Sequence, residues 1–207
     1  AYYITTKDFK TFSEPKLLFD PGFDNIDSTI VRDNGRYILT LKEGDKQGKG
    51  IWGPIHQAVS SNVLGPYTLL AKPVITDRAE GPTVAKIGDK WTIYYDYYVN
   101  GRYGGQQTSD FTSWTDITDK LKTVSGQRHG TVLKIPAAII SPFIEQATKL
   151  PPACVLPGYH ADPHIAVFGD TYYIYPTTDG NEGWATNSFS VMSSPDLIHW
   201  QNHGPII

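Results

Sequence analysis

Apolar and polar residues alternate in short runs along most of the 207-residue chain, and turns containing Gly or Pro separate these runs. One pair of runs is "IDSTIVRDNGRYILTL" at 26–41, where a β-branched segment is followed by a Gly turn and an aromatic segment. A period of two residues predicts half-buried β-strands, and long segments with the 3.6-residue period of a helix are nearly absent. The pattern therefore predicts an all-β protein.

The same hairpin pattern recurs along the chain. Copies at 79–95 and 161–175 keep the order of acid, small or Pro residues, apolar strand, Gly-containing turn and aromatic strand, and a shorter copy stands at 128–135. Asp27, Glu80 and Arg128 head the first three copies at a spacing of roughly 50 residues, which is the period of a repeat architecture. A second motif, with Asp, a hydrophobic residue and an aromatic residue, lies between the hairpins at 5–18, 108–121 and 193–207.

Four short strands fit into each period, which is the content of one β-propeller blade, because such a small sheet buries its faces only against neighbouring blades. We expect about fifteen strands, too few for a closed five-bladed ring. The predicted fold is thus a five-bladed propeller type that is incomplete or permuted, with about three and a half blades in this chain. A β-sandwich also has short strands and frequent turns, but it does not require an acid at the head of each repeat.

The repeat breaks after its third copy, where a Pro-rich segment lacks the alternation of a strand. We expect residues 1–136 to be the C-terminal blades of a propeller, and within them residues 128–135 to be a lone inner strand. Residues 137–157 are predicted to be a connector. Residues 158–207 are predicted to be the first blade of a second, or permuted, propeller.

Composition narrows the choice of partners. The formal charge of -3 includes no dense Lys/Arg cluster, so we expect neither nucleic acid nor an anionic membrane surface as a partner. The single cysteine, Cys154, excludes a disulfide framework within the chain and a thiolate metal cluster. No apolar run has membrane-spanning length, and no apolar signal segment is found at Ala1, so the sequence by itself leaves the compartment open.

Asp27, Glu80 and Asp162 each stand at the start of a predicted inner strand. In a propeller that position points into the funnel where the blades converge. Any one of these acids could simply cap a turn or protect a sheet edge, but three at one register indicate a site. Neighbouring carboxylates in a partly dry funnel push their pKa values apart, so that one holds a proton and another is ionised. Hydrolysis of a glycosidic bond needs that pair of roles.

The motifs "ADPHIAVFGDTYYIY", "NIDSTIVRDNGRYILT", "AEGPTVAKIGDKW" and "RHGTVL" resemble glycoside hydrolase family 43. The family consists of five-bladed propeller enzymes that act on arabinose- and xylose-containing polysaccharides with inversion of the anomeric centre. The resemblance implies that Asp162 is the general base, that Glu80 is the general acid, and that Asp27 orients the acid and raises its pKa. It covers nearly the whole chain outside the connector.

The chain departs from the family pattern in two respects. Ser28 follows Asp27, where the family commonly has Pro. In the family the base precedes the other two acids, whereas here Asp162 follows them. If the two halves belong to separate propellers, Asp162 does not share a pocket with Asp27 and Glu80. If the C-terminal blade packs beside residues 1–20, all three acids converge.

Other residues are expected to serve the site. The resemblance implies that His129 faces a water-bound calcium ion at the propeller axis, although His129 also suits a polar position at a strand start. Arg128 could contact substrate hydroxyls or pair with an acid. Aromatic residues in Gly-rich loops could stack on sugar rings, or they could be packing residues; these are Trp52, Tyr103 and Trp184.

The predicted function is an inverting glycoside hydrolase that cleaves arabinofuranosyl or xylosyl linkages in plant cell-wall polysaccharides or oligosaccharides. The alternative is a non-catalytic carbohydrate-binding or scaffold propeller fragment without a complete acid–base set. An open ring leaves sheet edges exposed, so self-association through them is expected. The resemblance favours an extracellular or periplasmic location.

Overall fold

The computed structural model describes residues 1–8, 11–45, 52–123, 128–141, 160–178, 188–197 and 199–206. The chain divides into two compact units, Ala1–Val132 and Leu133–Ile207. The described residues contain fourteen strands, and none of their helices is long and apolar enough to cross a membrane.

The first unit consists of a small strand pair and two four-stranded antiparallel sheets, and in each sheet the strands follow chain order. The pair is β1 (Tyr2–Tyr3) with β2 (Lys16–Leu17). The first sheet is β3 (Asn25–Asp33), β4 (Arg36–Glu43), β5 (Ile55–Ser60) and β6 (Thr68–Leu69). The second sheet is β7 (Glu80–Ile87), β8 (Lys90–Tyr97), β9 (Arg102–Thr108) and β10 (Thr115–Asp116), followed by a 3-10 turn at Thr118–Lys120.

The second unit contains one more sheet of the same kind. Its strands are β11 (His160–Phe168), β12 (Thr171–Thr178), β13 (Ser190–Ser194) and β14 (Gln201–Pro205), again antiparallel and in chain order. Three four-stranded sheets built from the predicted hairpins are the blades that the repeat required. The prediction of an all-β, propeller-type fold with an incomplete set of blades is therefore confirmed.

The predicted lone strand at 128–135 is wrong, because residues 128–136 contain no strand. This segment is attached to the second sheet by separate hydrogen bonds rather than by a backbone ladder. The Tyr103 hydroxyl donates to the Arg128 carbonyl at 3.0 Å, and the Val132 N–H donates to Thr83 Oγ1 at 3.2 Å. Residues 137–141, at the start of the predicted connector, are helical. The division into parts of two propellers remains a prediction.

The two sheets of the first unit pack together through their first strands, since β3 and β4 both contact β7. Alternation along β4 separates two cores. Ile38 joins the core shared with the second sheet, which also contains Ile93 and Tyr95. Leu39 and Leu41 face the other way, into a core with Phe19 and Tyr67. Successive residues of a strand point to opposite faces, so the side chains of β4 with even numbers lie between the two sheets.

Trp91 links these two sheets by a buried hydrogen bond. Its indole N–H donates to Asp33 Oδ1 at 3.0 Å, and both residues are buried. We expect Trp91→Phe to lower the free energy of unfolding by about 1–3 kcal/mol, because the buried carboxylate loses a donor. Urea unfolding measures the loss. Trp114→Phe is the control, since Trp114 is only partly buried against the same core, and an equal loss from both variants would contradict the assigned role of the hydrogen bond.

Candidate active site

A β-bulge interrupts the inner hairpin of each sheet at the same place. The pairing register shifts between Ile26 and Thr29, between Glu80 and Thr83, and between Ala161 and His164. The residues inside the three shifts are Asp27 and Ser28, Gly81 and Pro82, and Asp162 and Pro163. Bulges recur next to active sites because they re-aim a side chain.

The bulges correct the predicted alignment of the three acids. Asp27 and Asp162 occupy the first bulge position, but its equivalent in the second sheet is Gly81, and Glu80 stands one residue earlier. The single register predicted for Asp27, Glu80 and Asp162 is therefore wrong for Glu80. The cause lies in the turns: Gly35 is the second residue of its two-residue turn, whereas Gly88 is the first of its turn, so counting back from the glycine misplaces Glu80 by one residue.

Asp27 and Gly81 have the same unusual backbone conformation. Their φ angles are +52° and +57°, in the left-handed region that residues other than glycine rarely adopt. Asp27 Oδ2 accepts the Gly81 N–H at 2.9 Å, which joins the bulges of two neighbouring sheets. A strained non-glycine residue that is held by its surroundings indicates a functional position.

The Glu80 carboxylate has two cationic or polar neighbours from the segment after the second sheet. Glu80 Oε1 lies 2.8 Å from Arg128 Nη2 and 3.2 Å from His129 Nε2. The hydrogen bond with His129 is the main reason that the pKa of Glu80 is lowered; burial opposes this effect, and the contact with Arg128 adds to it. Glu80 is thus an ionised carboxylate at neutral pH in this arrangement.

Sequence analysis missed Asp96, which lies directly opposite Glu80 on β8. Asp96 is fully buried, and its Oδ2 accepts a hydrogen bond from Arg128 Nε at 2.5 Å. Arg128 therefore bridges two acids of the same sheet. The available signal was an acid within the aromatic run "WTIYYDYY", because burying an unpaired charge in such a strand would be costly.

Sequence analysis also missed Lys42, which is fully buried on the face of β4 that lies between the sheets. Its ammonium group donates to the carbonyl of Gly53. Burial lowers the pKa of Lys42, against the opposing effect of the Glu80, Asp27 and Glu43 carboxylates. The Lys42 ammonium group therefore lies close enough to the two candidate catalytic acids to interact with them electrostatically. The signal was a lysine in phase with Ile38 and Thr40 in "YILTLKE".

The other predicted site residues differ in their position and exposure. Arg128 is in the cluster and is 55% exposed. Tyr103 was expected in a loop, but it lies in β9 and is buried, and its hydroxyl donates to the Arg128 carbonyl. Trp52 is 43% exposed. Asp162 belongs to β11 of the second unit, its side chain lies outside the described residues, and Trp184 also lies outside them.

Asp27, Glu80 and His129 form a group that could hold a metal ion, since one ligand atom from each lies within 4.8 Å of the others. Calcium prefers six to eight oxygen ligands, and two carboxylates supply only part of that set. His129 Nε2 lies 3.2 Å from Glu80 Oε1 and could add a nitrogen ligand. The group suits a hydrated cation.

Adjacent acids on bulged inner strands of neighbouring four-stranded sheets define the class of propeller-type glycoside hydrolases. Within that class, the family described as "probable glycosyl hydrolase domain", a group related to family 43, matches residues 1–139. The chain belongs to this family. The match covers both sheets of the first unit and the Arg128–His129 segment.

Individual relatives agree with this assignment. The chain is 42% identical over 53 residues to the beta-D-galactofuranosidase xynD of Aspergillus niger, covering 26% of this chain and 15% of that enzyme. Its fold is similar to that of a solved glycoside hydrolase (TM-score 0.62, 11% identity, 88% of this chain and 49% of the other). It is also similar to the fold of the Bacillus subtilis arabinanase Arb43A (TM-score 0.53, 10% identity, 84% of this chain and 73% of the other).

The chain is shorter than many of the proteins that it matches. It spans about half the length of a glycosyl hydrolase from Bacteroides ovatus, covering 49% of that protein (TM-score 0.41, 18% identity, 89% of this chain). At these identities the structural similarities show the fold alone.

Proposed function

We propose that this chain takes part in the inverting hydrolysis of arabinofuranosyl or xylosyl linkages in plant cell-wall polysaccharides or oligosaccharides. The observation that carries the proposal is the junction of two acids from neighbouring sheets, where Asp27 accepts the Gly81 N–H and Glu80 is the residue directly before Gly81. Membership of a glycosyl hydrolase family supports the reaction class.

In this proposal Glu80 protonates the leaving oxygen, and Asp27 orients it. A general acid must hold a proton, yet the contact with His129, and to a smaller extent that with Arg128, lowers the pKa of Glu80. We therefore infer that bound substrate excludes water from the site, and that this added burial, together with the nearby negative charge of Asp27, raises the pKa of Glu80 and favours its protonated form. Asp162 as the general base stays a prediction.

The substrate class rests on the resemblance to family 43, and one relative widens it. The Aspergillus niger relative is named a galactofuranosidase, so galactofuranosides belong in the test together with arabinofuranosides and xylosides. The exposed ring of Trp52 offers an aromatic face for a sugar ring. We also propose that a hydrated calcium ion near His129 supplies positive charge to the carboxylates of the site.

A non-catalytic carbohydrate-binding fragment is the second candidate. The observation that favours it is the pairing of Glu80 with Arg128 and His129, which keeps the carboxylate ionised and so unsuited to donate a proton. A binding site needs hydrogen-bonding groups and an aromatic face but no proton donor. The two candidates differ in whether any bond is cleaved.

The test is hydrolysis by the full chain of nitrophenyl arabinofuranoside, xyloside and galactofuranoside, with calcium and with a chelator. We expect release of nitrophenol from at least one glycoside, and proton NMR of the first-formed sugar should show the inverted anomer. A mock purification from host cells that lack the gene controls for contaminating enzymes. Absence of hydrolysis together with oligosaccharide binding in calorimetry would favour the binding fragment, and retained configuration would contradict the inverting mechanism.

A further inference from the structure

Three cross-strand neighbours in the second sheet surround Arg128. Glu80 on β7 lies opposite Asp96 on β8, and Asp96 lies opposite Tyr103 on β9, so the three residues form one row across the sheet. Each of them contacts Arg128. Glu80 Oε1 accepts from Nη2 at 2.8 Å, Asp96 Oδ2 accepts from Nε at 2.5 Å, and the Tyr103 hydroxyl donates to the Arg128 carbonyl at 3.0 Å.

The buried members of this row set the position of the arginine. Asp96 is 0% exposed, and a carboxylate withdrawn from water is costly unless a cation pairs with it. Arg128 is 55% exposed, so its long side chain would be free to move if it had no partner in the protein. Because the fixed partner is Asp96 and the mobile one is Arg128, the geometry of Asp96 determines where the guanidinium lies.

The main chain at Arg128 is held as closely as the side chain. Tyr103 is buried, and a Cβ added at Gly130 would lie 3.0 Å from its hydroxyl, so the segment after Arg128 runs directly against the Tyr103 ring end. Val132 is tied to β7 by its hydrogen bond to Thr83. Both ends of the Arg128 side chain are thus anchored on the second sheet.

We propose that Asp96 and Tyr103 are positioning residues that hold Arg128 in one orientation for substrate binding. A guanidinium has five N–H groups, and the contacts to Asp96 and Glu80 use two of them. The other three remain for hydroxyl groups of a sugar, and the described residues offer them no further acceptor. The inference rests on the proposed function, and it assigns Tyr103 to the support of Arg128 rather than to stacking on the sugar.

The variant Asp96→Asn tests the assignment in the full chain. It keeps the shape of the side chain and removes the charge that holds Nε. We expect KM for the best aryl glycoside to rise about tenfold with kcat changed less than threefold, since uniform substrate binding is lost. Tyr103→Phe, which removes only the hydroxyl, should raise KM about threefold. Asp89→Asn makes the same change on an exposed turn of the same sheet and should change neither constant.

A second readout does not depend on activity. In the wild type, the Arg128 Nε–H should give a slowly exchanging NMR signal that Asp89→Asn retains and Asp96→Asn loses. An active wild type whose KM or Nε–H signal is unchanged by Asp96→Asn would overturn the inference. A wild type that hydrolyses none of the glycosides would instead overturn the proposed function, so the two failures are distinguishable.

Discussion

Glu80→Gln should lower kcat on an unactivated arabino- or xylo-oligosaccharide by about 10²–10⁴-fold, the usual contribution of a positioned general acid. An amide keeps the volume of the carboxyl group and cannot transfer a proton. The loss should be much smaller on nitrophenyl glycosides, because nitrophenolate departs without protonation. This dependence on the leaving group distinguishes a proton donor from a residue that merely shapes the pocket.

The measurement is a comparison of kcat and KM on both substrate types for the wild type, Glu80→Gln and Glu14→Gln. Glu14 is an exposed glutamate of the same unit, and its substitution should leave both constants unchanged. A loss of equal size on the two substrate types would show that Glu80 is not the proton donor. In that case Glu80 would stay ionised and in contact with Arg128 and His129 both in the free protein and during the reaction.

The blades were predictable from the sequence because each is made locally. A hairpin such as 26–41 carries its own alternation and turn, and a four-stranded meander only joins successive hairpins. The strand at 128–135 failed because its short alternating pattern has no second strand beside it in the chain to complete a hairpin. A strand requires a partner, and local alternation does not supply one.

The site was only half predictable for a different reason. Asp27, Glu80, Arg128 and His129 belong to motifs that repeat or resemble a family, and the structure brings them together. Asp96 and Lys42 are charged residues on buried strand faces, and their role follows from neighbours that are distant in sequence. Arg128 is 32 residues from Asp96, and the carboxylates facing Lys42 include one from the other sheet. Alternation predicts that such positions are buried but not what pairs with them.

The turns explain why the acids were misaligned. Both hairpins have a two-residue turn, but Gly35 is the second residue of the first turn and Gly88 is the first residue of the other. Counting from the Gly turns places Glu80 and Asp27 in equivalent positions, whereas the structure makes Gly81 the equivalent of Asp27. What the two bulges share is the left-handed φ angle rather than the charge.

Gly81→Ala follows from that equivalence and should lower the free energy of unfolding by about 2–4 kcal/mol. Part of the loss is the strain of an alanine at a φ of +57°, about 1–2 kcal/mol. The rest comes from the added Cβ, which would lie 2.7 Å from His129 Cδ2 and 3.1 Å from Cγ. The imidazole must move, and its contact with Glu80 moves with it, so hydrolysis should fall as well.

Gly88→Ala separates the two causes within the same hairpin. Gly88 has a φ of +63°, and a Cβ there meets nothing within 4 Å, so the variant should lose only the strain, about 1 kcal/mol, and keep its activity. Urea unfolding and hydrolysis of the unactivated oligosaccharide are measured on both variants. Equal losses of stability would mean that the His129 imidazole moves away from the added Cβ with no loss of stability, and that the site does not hold it in place. A larger loss at Gly81, joined to a loss of activity, ties the packing of this bulge to the position of His129 and Glu80.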